Sequence, residues 1–104
     1  MNLTVFLAVN YYLHFMTIEQ IQKFVEADLV PNKSMKIDFK KRNSIRGFIV
    51  KANDYSDLKS KNFWRIVNKT NLEHWQKSKN LEFAKIFNGS EFTRLSMVSN
   101  KEEE

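Results

Sequence analysis

The stretch that decides the fold is Ile45–Leu58, IRGFIVKANDYSDL, an apolar β-type run with a glycine inside it, followed by a polar, loop-like segment. It has a shorter counterpart at Ile86–Phe92, IFNGSEF, again with a glycine among apolar residues. Gly47 and Gly89 are the only two glycines in the chain. An interior glycine weakens a flat strand but permits a sharp bend or bulge. The two segments together predict a small, strongly bent β-sheet whose loops present a binding site.

Working outward, the period-two signal extends on both sides of that stretch. Met35, Ile37 and Phe39 alternate with Lys36, Asp38 and Lys40, which predicts a half-buried first strand. Lys41-Arg42-Asn43 is expected to be a tight turn into a second strand, Ile45–Ala52. Asn53–Asn62 reads as a polar loop. Phe63–Val67 is apolar at nearly every position and is predicted to be a third, central strand. Thr70 and Glu73 have capping-box spacing, so one helical turn is expected within Thr70–Asn80. Leu81–Phe87 and Ser90–Met97 complete a set of five strands. Asn88-Gly89 between them reads as a type I′ turn with positive φ at both central residues.

The start of the domain, ahead of the strands, is helical. Thr17-Ile18-Glu19-Gln20 is a capping box, with Met16 and Ile21 placed as the hydrophobic staple. Ile18, Ile21, Phe24 and Val25 share one face of a helix running to about Asp28. Pro31 follows, with Asn32-Lys33-Ser34 as a turn. Residues 1–15 form an apolar extension, either an extra element packed on the domain or a segment upstream of a start at Met16. It is too short to span a bilayer and has neither the basic region nor the cleavage site of a signal peptide. The domain is expected over residues 16–97, with an acidic frayed tail at 98–104.

A chain of 104 residues forms one domain with a single modest core. Nine Phe, two Trp and three Tyr favour strands over a coiled coil. The absence of Cys excludes disulfides and thiolate metal sites. No nucleophile elbow or glycine-rich phosphate loop occurs, Asp54 and Asp57 read as solvated, and His14 and His74 lack metal-pair spacing. No enzymatic activity, cofactor, metal or small-molecule substrate is therefore expected. The formal charge of +5 is concentrated: residues 33–69 hold eleven bases against three acids. Edge strands use Lys to block aggregation, and a polyanion-binding surface needs the same local excess.

The residue spacing resembles the Sm-like family, a helix followed by a five-stranded SH3-type small barrel. Gly47, Ile49, Asn53, Tyr55, Asp57 and Leu58 fall at the offsets of the first Sm motif, and Phe87, Asn88, Gly89, Ser90, Glu91 and Phe92 at those of the second. The resemblance covers roughly residues 17–97. It implies a cytoplasmic homo-oligomeric ring, closed by pairing the fourth strand of one subunit with the fifth of the next, that binds single-stranded RNA. Carried over by position, Tyr55 would stack on a base, Asp57 would stand where Asn reads the base edge, Asn88 where Arg backs the base, and Gly89 would allow close approach of the chain. Two positions depart from the family: Asp57 brings a negative charge, and Asn88 lacks a cation. Lys40, Lys41, Arg42, Arg46, Lys51, Lys59 and Lys61 are accordingly the stronger RNA-binding candidates. The alternatives are a barrel of the same kind used for protein interaction or scaffolding, and a membrane-peripheral protein using the apolar N-terminus.

Trp64 is expected in the core, and Trp75 either capping the barrel or lying exposed at an interface. Tyr55 on residue type alone is a loop anchor before it is a stacking platform. Arg65 is expected to pair with an acid on a neighbouring strand.

Overall fold

A computed structural model describes residues 16–27 and 34–98. The element order is α1 (Ile18–Val25), β1 (Met35–Phe39), β2 (Ile45–Ile49), α2 (Tyr55–Ser60), β3 (Phe63–Asn68), α3 (Leu72–Ser78), β4 (Ala84–Asn88) and β5 (Phe92–Met97). The expectations for residues 1–15, for the turn at Pro31–Lys33 and for the tail beyond Val98 lie outside the described residues.

All five strands join one antiparallel sheet in the order β4-β3-β2-β1-β5. β4 and β5 are thus its two edges, yet only the 3₁₀ turn Gly89–Glu91 separates them in sequence. Four inter-strand gaps in a flat sheet would put the edges about 19 Å apart. Three 3₁₀ residues advance about 6 Å, so the sheet must curl. The curl is visible in the side chains: Phe39 of β1 and Phe87 of β4, three strands apart, bring their ring centroids to 5.6 Å. No ladder among the described residues joins β4 to β5, so the sheet is curled but not closed.

The alternation of each strand divides the apolar residues between two faces. Ile45 and Ile49 of β2 and Trp64 and Ile66 of β3 join Met35, Ile37, Phe92 and Leu95 in one cluster. α1 covers it with Ile21, which is fully buried, and Met16, Ile18, Phe24 and Val25 pack around it. Phe48, Val50, Val67 and Ala84 point the other way, under Trp75 of α3. β3 is apolar at nearly every position because it feeds both clusters. It lies inside the sheet as expected, although the middle strand is β2.

The N-terminal capping box forms as read: Gln20 N–H donates to Thr17 Oγ1 and Thr17 N–H to Gln20 Oε1. The helix stops at Val25, with Glu26 as its C-cap, short of Asp28. Several other boundaries differ from the sequence reading. β2 ends at Ile49, although Val50 N–H still donates to the Arg65 carbonyl. The β1–β2 connection is wider than a tight turn at Lys41–Asn43, because the ladder closes at Ile37 and Ile45. The polar loop contains α2, a short helix with no buried residue. The Thr70–Glu73 capping box does not form, and α3 is a seven-residue helix rather than one turn.

One local device explains three further differences. The side-chain oxygens of Asn68, Asn80 and Asn88 each accept the backbone N–H two residues on, from Thr70, Glu82 and Ser90. Each Asx bond starts a 3₁₀ turn, at Lys69–Asn71, Leu81–Phe83 and Gly89–Glu91. The fourth strand therefore begins at Ala84 rather than Leu81, and the fifth at Phe92 rather than Ser90. Asn88-Gly89 is likewise not a type I′ turn, since neither glycine has positive φ.

Both glycines are required by close approach instead. A Cβ at Gly47 would land on the Val67 carbonyl oxygen and lie 3.1 Å from the Asn68 Cα, in the backbone of β3. A Cβ at Gly89 would land on Asn62 Oδ1 and lie 2.6 Å from Trp64 Nε1.

Candidate functional site

The two glycine segments meet around the Trp64 indole. Trp64 is 1% exposed, as expected of a core residue, and its N–H donates to Asn62 Oδ1 at 2.8 Å. Asn62 has positive φ, which suits its place just beyond α2, and its carbonyl accepts the Gly89 N–H at 2.7 Å. The Tyr55 ring stands edge-on to Trp64 with centroids 6.1 Å apart. Tyr55, Asn62, Trp64 and Gly89 thus form one knot between α2, β3 and the end of β4.

Within the knot Tyr55 is committed on several sides. Its hydroxyl donates to Glu26 Oε2 at 2.6 Å, tying α2 to the end of α1. Lys59 reaches the same carboxylate oxygen at 3.2 Å. Lys59 and Lys51 ammonium groups lie 5.2 and 5.9 Å from the Tyr55 ring centroid. The hydrogen bond from Tyr55, followed by those from Gln22 and Lys59, holds the Glu26 carboxyl below its ordinary pKa against a smaller opposing effect of burial. Burial, and then the Glu26 carboxylate, push the Tyr55 phenol well above its own. Glu26 was not legible as a partner, because it lies 29 residues from Tyr55 in sequence.

The other motif positions are turned to local tasks. Asp57 is exposed and forms an i,i+4 pair with Lys61 at 3.4 Å. Asn88 uses its side-chain oxygen on the Ser90 N–H. Arg65 pairs with Asp54, which precedes α2 rather than lying on a neighbouring strand. Trp75 is buried over the second cluster, and Lys79 rests on its ring at 5.4 Å.

The basic candidates fall into separate groups. Lys40, Lys41 and Arg42 occupy the β1–β2 loop, while Lys51, Lys59 and Lys61 gather beyond the opposite end of β2. Arg46 lies between, on the sheet face away from the α1 cluster and directly across from Lys36. Its Nη1 is buried without a hydrogen-bond partner among the described residues. Lys40 approaches Glu91 at 3.9 Å, and its backbone N–H donates to the Glu91 carbonyl. Arg42 makes no ion pair among the described residues, and its guanidinium lies 5.2 Å from the ring centroids of both Phe39 and Phe87.

Beside Arg42 opens a cleft of about 300 Å³. Ile45, Ile66, Phe83, Ile86 and Phe87 supply its apolar surface, Asn68, Thr70 and Asn71 its neutral polar groups, and Arg42, Lys85 and Glu82 its charges. Sequence reasoning missed this site because its residues come from the β1–β2 loop, three strands and two 3₁₀ turns. The available signals were the Asn68-Lys69-Thr70-Asn71 run and the apolar alternation that places Phe39 inside the curl.

No helix among the described residues is long and apolar enough to cross a membrane. No protein-family model, curated protein or solved structure significantly matches this chain.

Proposed function

We propose that this chain is an Sm-like module, a small β-barrel that binds single-stranded RNA and assembles as a homo-oligomeric ring. The observation that carries the reading is the β1–β2 loop, where exposed Arg42 stands beside the Phe39–Phe87 aromatic pair and exposed Lys41 precedes it in the chain. Cations next to aromatic rings match the two demands of a single strand, phosphate neutralisation and base stacking. The strand order, and the 3₁₀ turn that alone separates β4 from β5, support the barrel reading. Assembly is supported by the two edge strands, since each can accept a strand from a neighbour and head-to-tail pairing closes into a ring.

RNA engagement is assigned to the loop rather than to the motif residues, because Tyr55 is held by Glu26 and Trp64 and the Asp57 side chain is paired with Lys61. Replacing Lys40, Lys41 and Arg42 together by Ala should weaken binding of short single-stranded RNA of any sequence and flatten its salt dependence. No RNA binding at low salt, or an unchanged triple variant, overturns the proposal. A second reading, a protein-interaction barrel, draws on Ile86 of edge strand β4, 49% exposed, with Leu81 nearby at 39%. Binding of RNA by the parent chain but not the triple variant decides against it.

A further inference from the structure

We propose that the cleft between the β1–β2 loop and the Asn68–Asn71 turn is a pocket for a single guanine base. This rests on the RNA reading above and gives it a base preference. A cleft of about 300 Å³ is at the small end of ligand sites. It suits one planar ring system rather than a helix or a folded peptide.

Its walls have the chemistry of a base site. Phe87 contributes an aromatic surface, and the Arg42 guanidinium is already held near that ring and Phe39, so an entering base meets a prepared cation and aromatic pair. The hydrogen-bonding groups then discriminate. Asn68 Oδ1 accepts both the Thr70 N–H and the Thr70 hydroxyl, which leaves its NH₂ as the group to donate. Asn71 makes no side-chain capping bond, so its amide is uncommitted at the head of α3. Glu82, whose Oε2 accepts the Asn80 side-chain amide at 3.5 Å, lines the same cleft with a carboxylate, which only accepts.

Guanine is the base that fits this set. Its O6 accepts from an amide or a cation, while its adjacent N1–H and N2–H₂ donate together to one carboxylate. Adenine offers no N1–H and presents an amine where guanine has its oxygen. Uracil supplies one N–H where the carboxylate can take two. Glu82 also disfavours phosphate at its side of the cleft, which leaves the chain backbone to Arg42 and the Lys40–Lys41 side of the loop.

The test is equilibrium binding of uridine nonamers carrying one central guanosine, inosine or adenosine, at fixed salt. The parent should prefer guanosine over adenosine by about tenfold, with inosine, which lacks the N2 amine, in between. Glu82→Gln should abolish the preference, so that the guanosine, inosine and adenosine nonamers bind the variant equally. Asn71→Ala should also reduce the preference, which keeps the test open if Glu82→Gln alters the turn. Salt-dependent binding with no preference among the three nonamers overturns the pocket and leaves the RNA reading standing. Failure of all three to bind at low salt overturns both.

Discussion

The knot around Trp64 and the open loop beside Arg42 contain similar residue types and use them in opposite ways. At the knot, Tyr55, Asn62 and Gly89 are closed on one another and on Glu26, so aromatic and amide groups hold α1, α2, β3 and β4 together. At the loop, Arg42 rests on two rings without an ion pair among the described residues, and Asn71 leaves its amide uncommitted. Residue type therefore does not separate the structural site from the proposed binding site in this chain. What separates them is whether the fold has already supplied the partners. Changes at the knot should affect stability before binding, and changes at the loop the reverse.

The largest effect should come from Gly47→Val, where the new side chain meets β3 backbone that cannot move without breaking the β2–β3 ladder. A loss of about 3 kcal/mol or more is expected from urea unfolding. Gly89→Val should cost less, about 2 kcal/mol, because the atoms it meets belong to the Asn62 and Trp64 side chains, which can shift by losing their hydrogen bond. Gly89→Asn sharpens the point. Asn is tolerated where positive φ is the requirement, so a melting midpoint close to the parent's would show that close approach is not what demands glycine here.

Tyr55→Phe should cost about 1 kcal/mol by removing the bond to Glu26, while RNA affinity and its salt slope stay unchanged. The pH dependence follows from the same pair. Glu26 has its pKa lowered in the fold, so its contribution is present above the unfolded carboxylate pKa and is lost as pH falls through the lowered folded value. Tyr55 has its pKa raised, so its contribution is full below the unfolded phenol pKa and disappears as pH rises through the folded one. Unfolding midpoints across pH should therefore show a shallower acid limb in Tyr55→Phe than in the parent. A loss of RNA binding without a loss of stability would reverse the assignment of the knot.

The smallest effect is expected at Asp57→Asn. Its pair with Lys61 joins two exposed side chains, so stability should stay within about 0.5 kcal/mol of the parent. RNA affinity should change by less than about twofold if the motif loop stands apart from the bound strand. A gain larger than the loss caused by the Lys40, Lys41 and Arg42 triple variant would return the binding site to the motif.

Where the local pattern and the tertiary environment agree, the sequence was readable. The Thr17–Gln20 box needs only four consecutive residues, and β1 shows its alternation and β3 its nearly continuous apolar run within a few positions. α2 was not readable, because YSDLKS has no apolar face to announce a helix and buries no residue. At Thr70 two local devices competed, and the Asn68 oxygen took the backbone N–H two residues on. At Asn88 the same Asx bond replaced the expected hairpin turn, since β5 must cross to the far edge of the sheet and pair with β1 rather than fold back on β4.

The sequence by itself determined the number of the strands, the helix before them, the core positions of Trp64 and Ile37, and the basic centre of the chain. These follow from period, propensity and charge, which are properties of neighbours along the chain. Only the tertiary structure decided why the glycines are glycines, what Tyr55 touches, and where a ligand has room. Each of those answers depends on atoms brought within van der Waals distance from remote parts of the chain: Gly47 against Val67, Gly89 against Asn62, Tyr55 against Glu26, and Arg42 against Phe87. The curl of the sheet creates those meetings, and curl is set by how two faces of side chains are covered at once rather than by any one segment.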